Sequence, residues 1–153
     1  MKIELLCVGR LSAETDPLCE HYLALLRPYA SVRVREVRGV PLDLGPERVV
    51  KEEGEALLRL IRRDGVTVAL EREGVQFASP QFAAWLADQK VHGAGHFQFI
   101  LGGALGLDAR IKAAASLVWS LSPLTFPHQV ARCLVLEQIY RAFRIERGEP
   151  YHY

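Results

Sequence analysis

The sequence predicts an α/β protein with a single-domain, mostly parallel sheet that helices flank on both faces. Short apolar runs alternate with longer stretches of helical periodicity, which is typical of strand–helix–strand crossovers. Proline follows a capping residue at Asp16-Pro17 and at Ser79-Pro80, a pattern that marks helix starts. No linker, repeat or low-complexity segment divides the chain, so we expect one domain over residues 1–153.

The first half of the chain predicts three strands and two helices. The strands are expected at 2–9, 32–35 and 66–70, and the helices at 16–29 and from Pro46 to a stop at Gly65. Val32 and Val34 alternate with arginines, which indicates a half-exposed strand.

The second half predicts helices at 79–91, 107–115 and 127–144 and strands at 97–101 and 117–121. The last helix carries apolar residues on more than one side, namely Val130, Leu134, Leu136, Ile139, Tyr140 and Phe143. A helix that is apolar on two sides is buried on two sides. We favour a partner subunit as the second neighbour, with a central core helix as the alternative.

Composition excludes several classes of protein. No apolar run approaches the ~20 residues of a membrane span, and the first nine residues lack the layout of a signal peptide. We therefore expect a cytoplasmic protein with no membrane contact. Cys7, Cys19 and Cys133 follow no disulfide or zinc spacing, so they are interpreted as buried free thiols.

Net charge does not indicate a nucleic-acid partner, because it is only +1. Arg62 and Arg63 are interpreted as charges that complement a helix dipole. Two other arginine clusters stay open: Arg33, Arg35 and Arg38, and Arg141, Arg144 and Arg147.

The functional end of the molecule is predicted in the last third of the chain. The apolar run 97–101 stops at the glycine-rich segment 102–106, and the run 117–121 stops at the segment 122–128. Two neighbouring strand ends closed by small or rigid residues are where α/β proteins bind ligands.

The sequence excludes several kinds of binding site in this region. A dinucleotide loop belongs in the first βα unit and needs an acidic residue ~20 positions later, but no Asp or Glu lies between Asp108 and Glu137. No Gly-Lys-Ser/Thr follows the glycines, which excludes a P-loop. His92 and His96 are separated by glycines and lack a carboxylate partner, so no metal site is expected.

The remaining candidate is a ligand loop with few charges. Residues 121–126 offer backbone amides, carbonyls, two hydroxyls and apolar walls, which suit a neutral or cationic ligand with a purine ring. His128 follows at the start of the last predicted helix, beside amide donors.

The sequence resembles the RlmH family, SPOUT-class methyltransferases of large-subunit ribosomal RNA. The segments that carry the resemblance are Gly102–Leu107, Trp119–Ser122, Leu124-Thr125, Pro127-His128, Arg132, Glu137–Ala142 and Pro150–His152. Their order and spacing are specific, and the resemblance runs the whole length of the chain.

The resemblance implies a SPOUT α/β fold with a C-terminal trefoil knot over about 97–144 and a tail over 145–153. It implies a homodimer with the site at the subunit interface and S-adenosylmethionine as cofactor, without a metal. The substrate would be N3 of a pseudouridine in a 23S rRNA hairpin on the ribosome. The cofactor would be held by Leu70, Gly102, Leu121, Ser122, Pro123, Leu124, Thr125 and Phe126.

One departure from the family concerns the general base. Some relatives have Pro-Glu where this chain has Ala104-Leu105, so a carboxylate there cannot serve. We hypothesise that His128, Tyr151 and His152 bind or deprotonate the target base. Arg132 or Arg141 would contact phosphate or the developing anion. The alternatives are a SPOUT enzyme acting on tRNA and an inert ribosome-associated binding protein.

Overall fold

The apolar runs form five strands, and every neighbouring pair of strands is parallel. The computed structural model describes all 153 residues. The strands are β1 (Lys2–Val8), β2 (Ser31–Val37), β3 (Val66–Gln76), β4 (His96–Leu101) and β5 (Leu117–Ser120). Their order in the sheet is β2-β1-β4-β3-β5. The predicted α/β class is confirmed, and the sheet is wholly parallel.

The helices cover both faces of this sheet. They are α1 (Asp16–Leu26), α2 (Pro46–Leu58), α3 (Ser79–Val91), α4 (Ala109–Ala114) and α5 (His128–Glu146). Helices α1, α3 and α5 cover a cluster of 21 buried apolar residues, whereas α2 and α4 cover a cluster of seven. No helix combines the length and the apolar character that crossing a membrane requires.

Strand β1 shows why the sheet is buried on both sides. Ile3, Leu5 and Cys7 join the larger cluster, while Leu6 and Val8 join the smaller one. An unbroken apolar run is typical of a parallel strand covered on both faces. Each fully buried Leu or Ile side chain contributes ~1.5–3 kcal/mol.

The two-sided burial of α5 is explained within one chain. The helix packs between α1 and α3 on the sheet, and Leu136, Ile139 and Phe143 are buried there. The interpretation that its second side needs a partner subunit is therefore not required, and the apolar pattern of α5 carries no argument for a dimer.

Three sequence predictions at the helix ends were wrong. Helix α2 ends at Leu58 and not near Gly65. Asp16 and Ser79 are first helical residues and not caps. The Ser79 hydroxyl instead donates to Gln138 Oε1 of α5 at 2.8 Å, so this serine joins two helices.

Strand β3 continues six residues beyond the predicted end at Leu70. Leu70 and Val75 both pair with Trp119 of β5, so residues 71–74 form a bulge between them. Gly74 permits this close approach, because a Cβ there would lie 2.6 Å from the Val118 carbonyl oxygen. The polar bulge interrupts the apolar pattern, which is why the sequence did not reveal the longer strand.

The three cysteines are buried free thiols, as predicted. Burial raises the pKa of Cys7 to about 12, and burial also raises the pKa of Cys19. Because the thiolate is the reactive form, neither thiol is suited to nucleophilic catalysis.

Candidate active site

A cavity of about 440 Å³ lies at the carboxyl ends of β3, β4 and β5. Its walls come from the start of the β3 bulge, the glycine-rich segment, the loop after β5 and the first turn of α5. The carboxyl edge of a parallel sheet is the ordinary place for a ligand in this class of fold. The predicted location of the functional end agrees with this cavity.

The glycine-rich segment forms one wall as a tight turn. The Gly106 amide donates to the Gly103 carbonyl at 3.1 Å, and Gly106 has a φ of +85°. A Cβ on Gly102 would lie 2.5 Å from the Gly106 carbonyl oxygen. Glycine is therefore required at 102 and favoured at 106, because the backbone folds directly onto itself.

The loop after β5, residues 121–126, presents its own backbone to the cavity. None of its amides or carbonyls takes part in a backbone–backbone hydrogen bond. The Ser122 hydroxyl accepts from the Leu124 amide at 3.1 Å, and the Ser120 hydroxyl donates to the Ser122 carbonyl at 3.1 Å. Two serines thus fix the loop and leave most of its backbone groups free for a ligand.

Seven of the eight residues predicted to bind a cofactor line this cavity. They are Leu70, Gly102, Leu121, Ser122, Leu124, Thr125 and Phe126. Pro123 belongs to the same loop but is exposed and does not line the cavity.

The sequence analysis missed two charged residues of the cavity, Glu71 and Arg72. Both lie in the β3 bulge. Arg72 Nη1 donates to Thr125 Oγ1 at 3.4 Å, and Glu71 Oε2 lies 3.3 Å from Lys112 Nζ. Only the alternating Glu-Arg-Glu pattern after Leu70 could have indicated that a strand continues there.

His128 lines the cavity, as predicted, at the first residue of α5. The neighbouring Gln129 anchors this helix end to the loop before α1. Gln129 Oε1 accepts from the Ser12 amide at 2.7 Å and from the Thr15 hydroxyl at 2.9 Å. The imidazole is half-buried and makes no side-chain hydrogen bond in the structure, so it is free to meet a substrate.

Arg132 does not face the cavity. Its side chain is 1% exposed, and it donates to Glu36 Oε1 at 2.6 Å and to the Gly9 carbonyl at 2.9 Å. These contacts join α5 to the ends of β1 and β2. The structure thus gives Arg132 a structural role, in place of the predicted contact with phosphate or a developing anion.

Tyr151 and His152 form a polar cluster, called the tail cluster below, with Glu137 and Arg141 in the middle and second half of α5. The Tyr151 hydroxyl donates to Glu137 Oε1 at 3.2 Å, and the Arg141 guanidinium donates to His152 Nδ1 at 3.2 Å. Arg141 also lies 4.7 Å from the Tyr151 ring centroid. Burial, with the Tyr22 hydrogen bond and the Glu137 charge, raises the pKa of Tyr151.

No residue of the tail lines the cavity of its own chain. Along α5, Glu137 follows the cavity-lining Ala131 by six residues and Arg141 follows it by ten, which corresponds to ~9 and ~15 Å along the axis at ~1.5 Å per residue. No group of three or more metal-ligating side chains occurs in the structure.

Comparison with known proteins gives full-length matches. A family model described as "Predicted SPOUT methyltransferase" matches residues 1–152. The ribosomal RNA large subunit methyltransferase H of Moorella thermoacetica is 46% identical over 138 residues, which cover 87% of this chain and 86% of that protein. The protein of that name from Bifidobacterium animalis is 41% identical over 159 residues and covers 99% of both chains.

Solved structures share the fold at low sequence identity. A probable methylase family protein from Haemophilus influenzae has a TM-score of 0.53 at 10% identity, covering 99% of this chain and 70% of that one. A putative RNA methyltransferase from Bacillus anthracis has a TM-score of 0.50 at 13% identity, covering 99% of both chains.

Proposed function

The chain belongs to the SPOUT methyltransferase family, and from that membership we propose that it methylates ribosomal RNA of the large subunit. S-adenosylmethionine is the methyl donor of this family. The single observation that carries the proposal is the full-length identity of about 40% to large-subunit methyltransferases. We further propose N3 of a pseudouridine in a 23S rRNA hairpin as the target, and the cytoplasm as the site of action.

The cavity fits the cofactor in size and in chemistry. Small-molecule sites are typically ~300–1,000 Å³ and mostly apolar with a few placed polar groups, and this one is about 440 Å³. The free amides and carbonyls of residues 121–126 match the donors and acceptors on the edge of an adenine ring. Leu70, Leu121 and Phe126 supply apolar walls.

The residues of the chain act mainly by alignment. S-adenosylmethionine supplies a methyl group on a positively charged sulfur, which is already a good leaving group. The fixed loop 121–126 and the turn at Gly102 position one reactant, and good alignment of two reactants can contribute ~7–11 kcal/mol.

The acceptor N3 must also lose its proton, which requires a general base or a group that stabilises the anion. His128 lies in the cavity and could accept that proton within one chain. Tyr151 is assigned the role of a donor, because a tyrosine hydroxyl is protonated near neutral pH and burial, which raises its pKa further, disfavours a role as base. His152 and Arg141 complete this second polar group.

We propose that the tail of one subunit completes the cavity of its partner in a homodimer. In its own chain the tail contacts Glu137 and Arg141 of α5 and contributes no residue to the wall of the cavity. A two-fold arrangement of two chains brings each tail to the other cavity without any rearrangement of the fold.

A trefoil knot in the C-terminal region is also part of the proposal. Family membership supports it, and so does the path of the chain. From β5 at the sheet edge, the chain returns to the centre as α5, and the Thr125 hydroxyl contacts Arg72 of the β3 bulge on the way. An experimental structure whose backbone forms no knot would refute this part of the proposal.

The decisive experiment is incubation of the purified protein with ribosomes that lack the modification and with labelled S-adenosylmethionine. We expect one methyl group per 23S rRNA, located by mass analysis of nuclease fragments on a pseudouridine. Label in tRNA and none in rRNA would support the tRNA alternative. Binding to ribosomes without any transfer would support the inert binding protein.

Free RNA should be a poor ligand. The whole chain has a net charge of only +1, and phosphate contacts dominate nucleic-acid affinity. We expect weak, salt-sensitive binding to isolated 23S rRNA and productive binding to assembled ribosomes. Tight binding to isolated RNA at high salt would contradict this expectation.

Mixing two inactive variants tests the shared site. One variant lacks residues 150–153 and keeps its cavity; the other keeps its tail and carries Gly102→Val. After mixing and re-equilibration, half of the dimers are mixed and one of their two sites is complete, so activity should return to about a quarter of wild type. No recovery would show that the tail acts on its own chain.

A further inference from the structure

A second concave surface lies at the opposite end of the sheet, and its walls are basic. We call it the arginine groove. It runs between the edge strand β2, with Arg33 and Arg35, and the turn after α2, with Arg59 and Arg62. The carboxyl-end cavity is ~20 Å away, because strands of six or seven residues separate the two ends at ~3.3 Å per residue.

The register of the sheet explains how the groove forms. Val32 and Val34 of β2 pack toward the larger core, so the alternating Arg33 and Arg35 point to the other face. Helix α2 ends at Leu58 and leaves that face uncovered near the amino ends of the strands. The groove is therefore built into the fold and does not depend on a flexible loop.

Two of the four arginines have no ionic partner. Arg33 and Arg59 are exposed and form no ion pair. Arg62 pairs with Asp64 at 2.9 Å, and Arg35 is only within 3.9 Å of Glu4. The groove thus has cationic groups that can still bind an anion.

Charge is distributed unevenly over the molecule. The groove is lined by five cationic side chains and two carboxylates, an excess of three positive charges, although the whole chain has a net charge of +1. The rest of the protein is therefore net negative. An extended polyanion would be attracted to this surface and repelled by much of the remainder.

Edge strands often carry charged residues that prevent pairing with another sheet, which offers a simpler explanation for Arg33 and Arg35. It does not explain Arg59 and Arg62, because they belong to a turn and face the strand across the groove. Cationic side chains on both walls of a groove can contact the phosphates of a nucleic-acid backbone that lies between them.

We propose that the arginine groove binds the phosphate backbone of large-subunit ribosomal RNA away from the nucleotide that is methylated. This inference rests on the proposed function. The two sites lie ~20 Å apart, so the anchored phosphates belong to nucleotides several positions away from the methylated one. The groove anchors the RNA, and the cavity carries out the chemistry.

The test compares two pairs of substitutions that each remove two positive charges. Arg33→Gln with Arg59→Gln alters the groove. Arg48→Gln with Lys51→Gln is the matched control on the exposed surface of α2. Methylation of ribosomes is measured between 50 and 200 mM salt, together with binding of S-adenosylmethionine.

We expect the groove variant to raise KM for ribosomes about tenfold at low salt, with kcat and cofactor affinity unchanged. Raising the salt from 50 to 200 mM weakens ribosome binding by both proteins. Because the groove variant makes two fewer phosphate contacts, the factor by which its affinity falls should be about ten times smaller than the wild-type factor. The control should behave as wild type. A groove variant with the KM and salt dependence of the control would overturn the proposal.

Co-sedimentation at 50 mM salt, where the weak binding of wild type to isolated RNA is strongest in the tested range, with ribosomal subunits and with protein-free 23S rRNA separates the remaining outcomes. Loss of binding to both supports an RNA contact. Loss of binding to subunits alone would identify a ribosomal protein as the partner and overturn the proposal. Because sedimentation needs no methyl transfer, an enzyme that methylates something else is distinguishable from a groove that does not bind RNA.

Discussion

The two ends of helix α5 hold groups of opposite character. At its start, the cavity is lined by glycines, apolar side chains and free backbone groups around His128. From its middle onward, the tail cluster is a set of paired polar side chains, with Glu137, Arg141 and Tyr151 in mutual contact. One end is suited to hold a flat, uncharged ring system, and the other to donate hydrogen bonds and stabilise charge.

This difference indicates a division of work between binding and chemistry. The residues of one chain form the candidate cavity, which we propose as the cofactor site. We propose that the tail supplies further polar groups for the chemistry, and no tail residue lines the cavity of its own chain. Variants at the two ends should therefore affect different measurements, and the following four predictions test that separation.

The largest effect is expected from removal of the tail after Glu149. Methylation should fall by at least ~100-fold, the scale on which acid–base groups contribute, while the dissociation constant of S-adenosylmethionine changes little. Activity is measured on ribosomes and affinity by calorimetry. Deletion of Tyr153 alone is the control, because this residue is fully exposed. Normal turnover by the truncated protein would refute the role of the tail.

Arg132→Met should destabilise the fold without a selective loss of chemistry. The substitution leaves Glu36 and the Gly9 carbonyl without their donor. Because the Glu36 side chain is 31% exposed and can regain water, we expect a loss of about 2–3 kcal/mol, below the ~3–5 kcal/mol of a fully buried pair.

Urea denaturation measures this loss, and Glu36→Gln combined with Arg132→Met should cost less than the sum of the two single changes. A variant with wild-type stability and no activity would instead indicate that Arg132 has a role in catalysis.

Gly102→Ala should weaken cofactor binding by roughly tenfold to a hundredfold. The new methyl group would lie 2.5 Å from the Gly106 carbonyl oxygen, and overpacking of this kind costs ~1–3 kcal/mol. The shift would move the wall of the cavity. Gly95→Ala is the matched control, because a Cβ there meets nothing within 4 Å. Equal affinity in both variants would mean that the turn does not shape the site.

The smallest effect concerns the alkaline stability of the tail cluster. Burial raises the pKa of Tyr151 above that of an unfolded tyrosine, which is ~10. The folded state therefore holds this proton more tightly, and the associated stability is present below pH ~10 and is lost as the pH rises beyond it. The pKa of Tyr29 is also raised, by its hydrogen bond to Glu149, so absorbance of tyrosinate should show more than one late-titrating group, and Tyr151→Phe should remove one of them. Titration of all five tyrosines together would contradict the docked tail.

Local patterns located the cavity, and the family resemblance named most of its residues, but neither predicted the longer β3 strand. The apolar runs that end at Gly102 and Leu121 indicated two neighbouring strand ends, and seven of the eight residues expected from the resemblance line the cavity. Glu71 and Arg72 were missed because a bulge breaks the alternation on which strand prediction depends. Arg132 was assigned to chemistry because its type suits an anion, and its type could not show that it is buried.

By itself, the sequence determined the order of strands and helices, the parallel sheet and the edge of the sheet at which the candidate cavity lies. Each of these follows from periodicity or from residues that stop an element, which are local properties. Tertiary structure alone decided that α5 is buried between α1 and α3, that Arg132 holds Glu36, and that the tail lies against α5 away from the cavity. These contacts either join residues that are far apart in the chain or depend on how whole elements dock. The periodicity of the sequence does not show which neighbour an element or a side chain contacts.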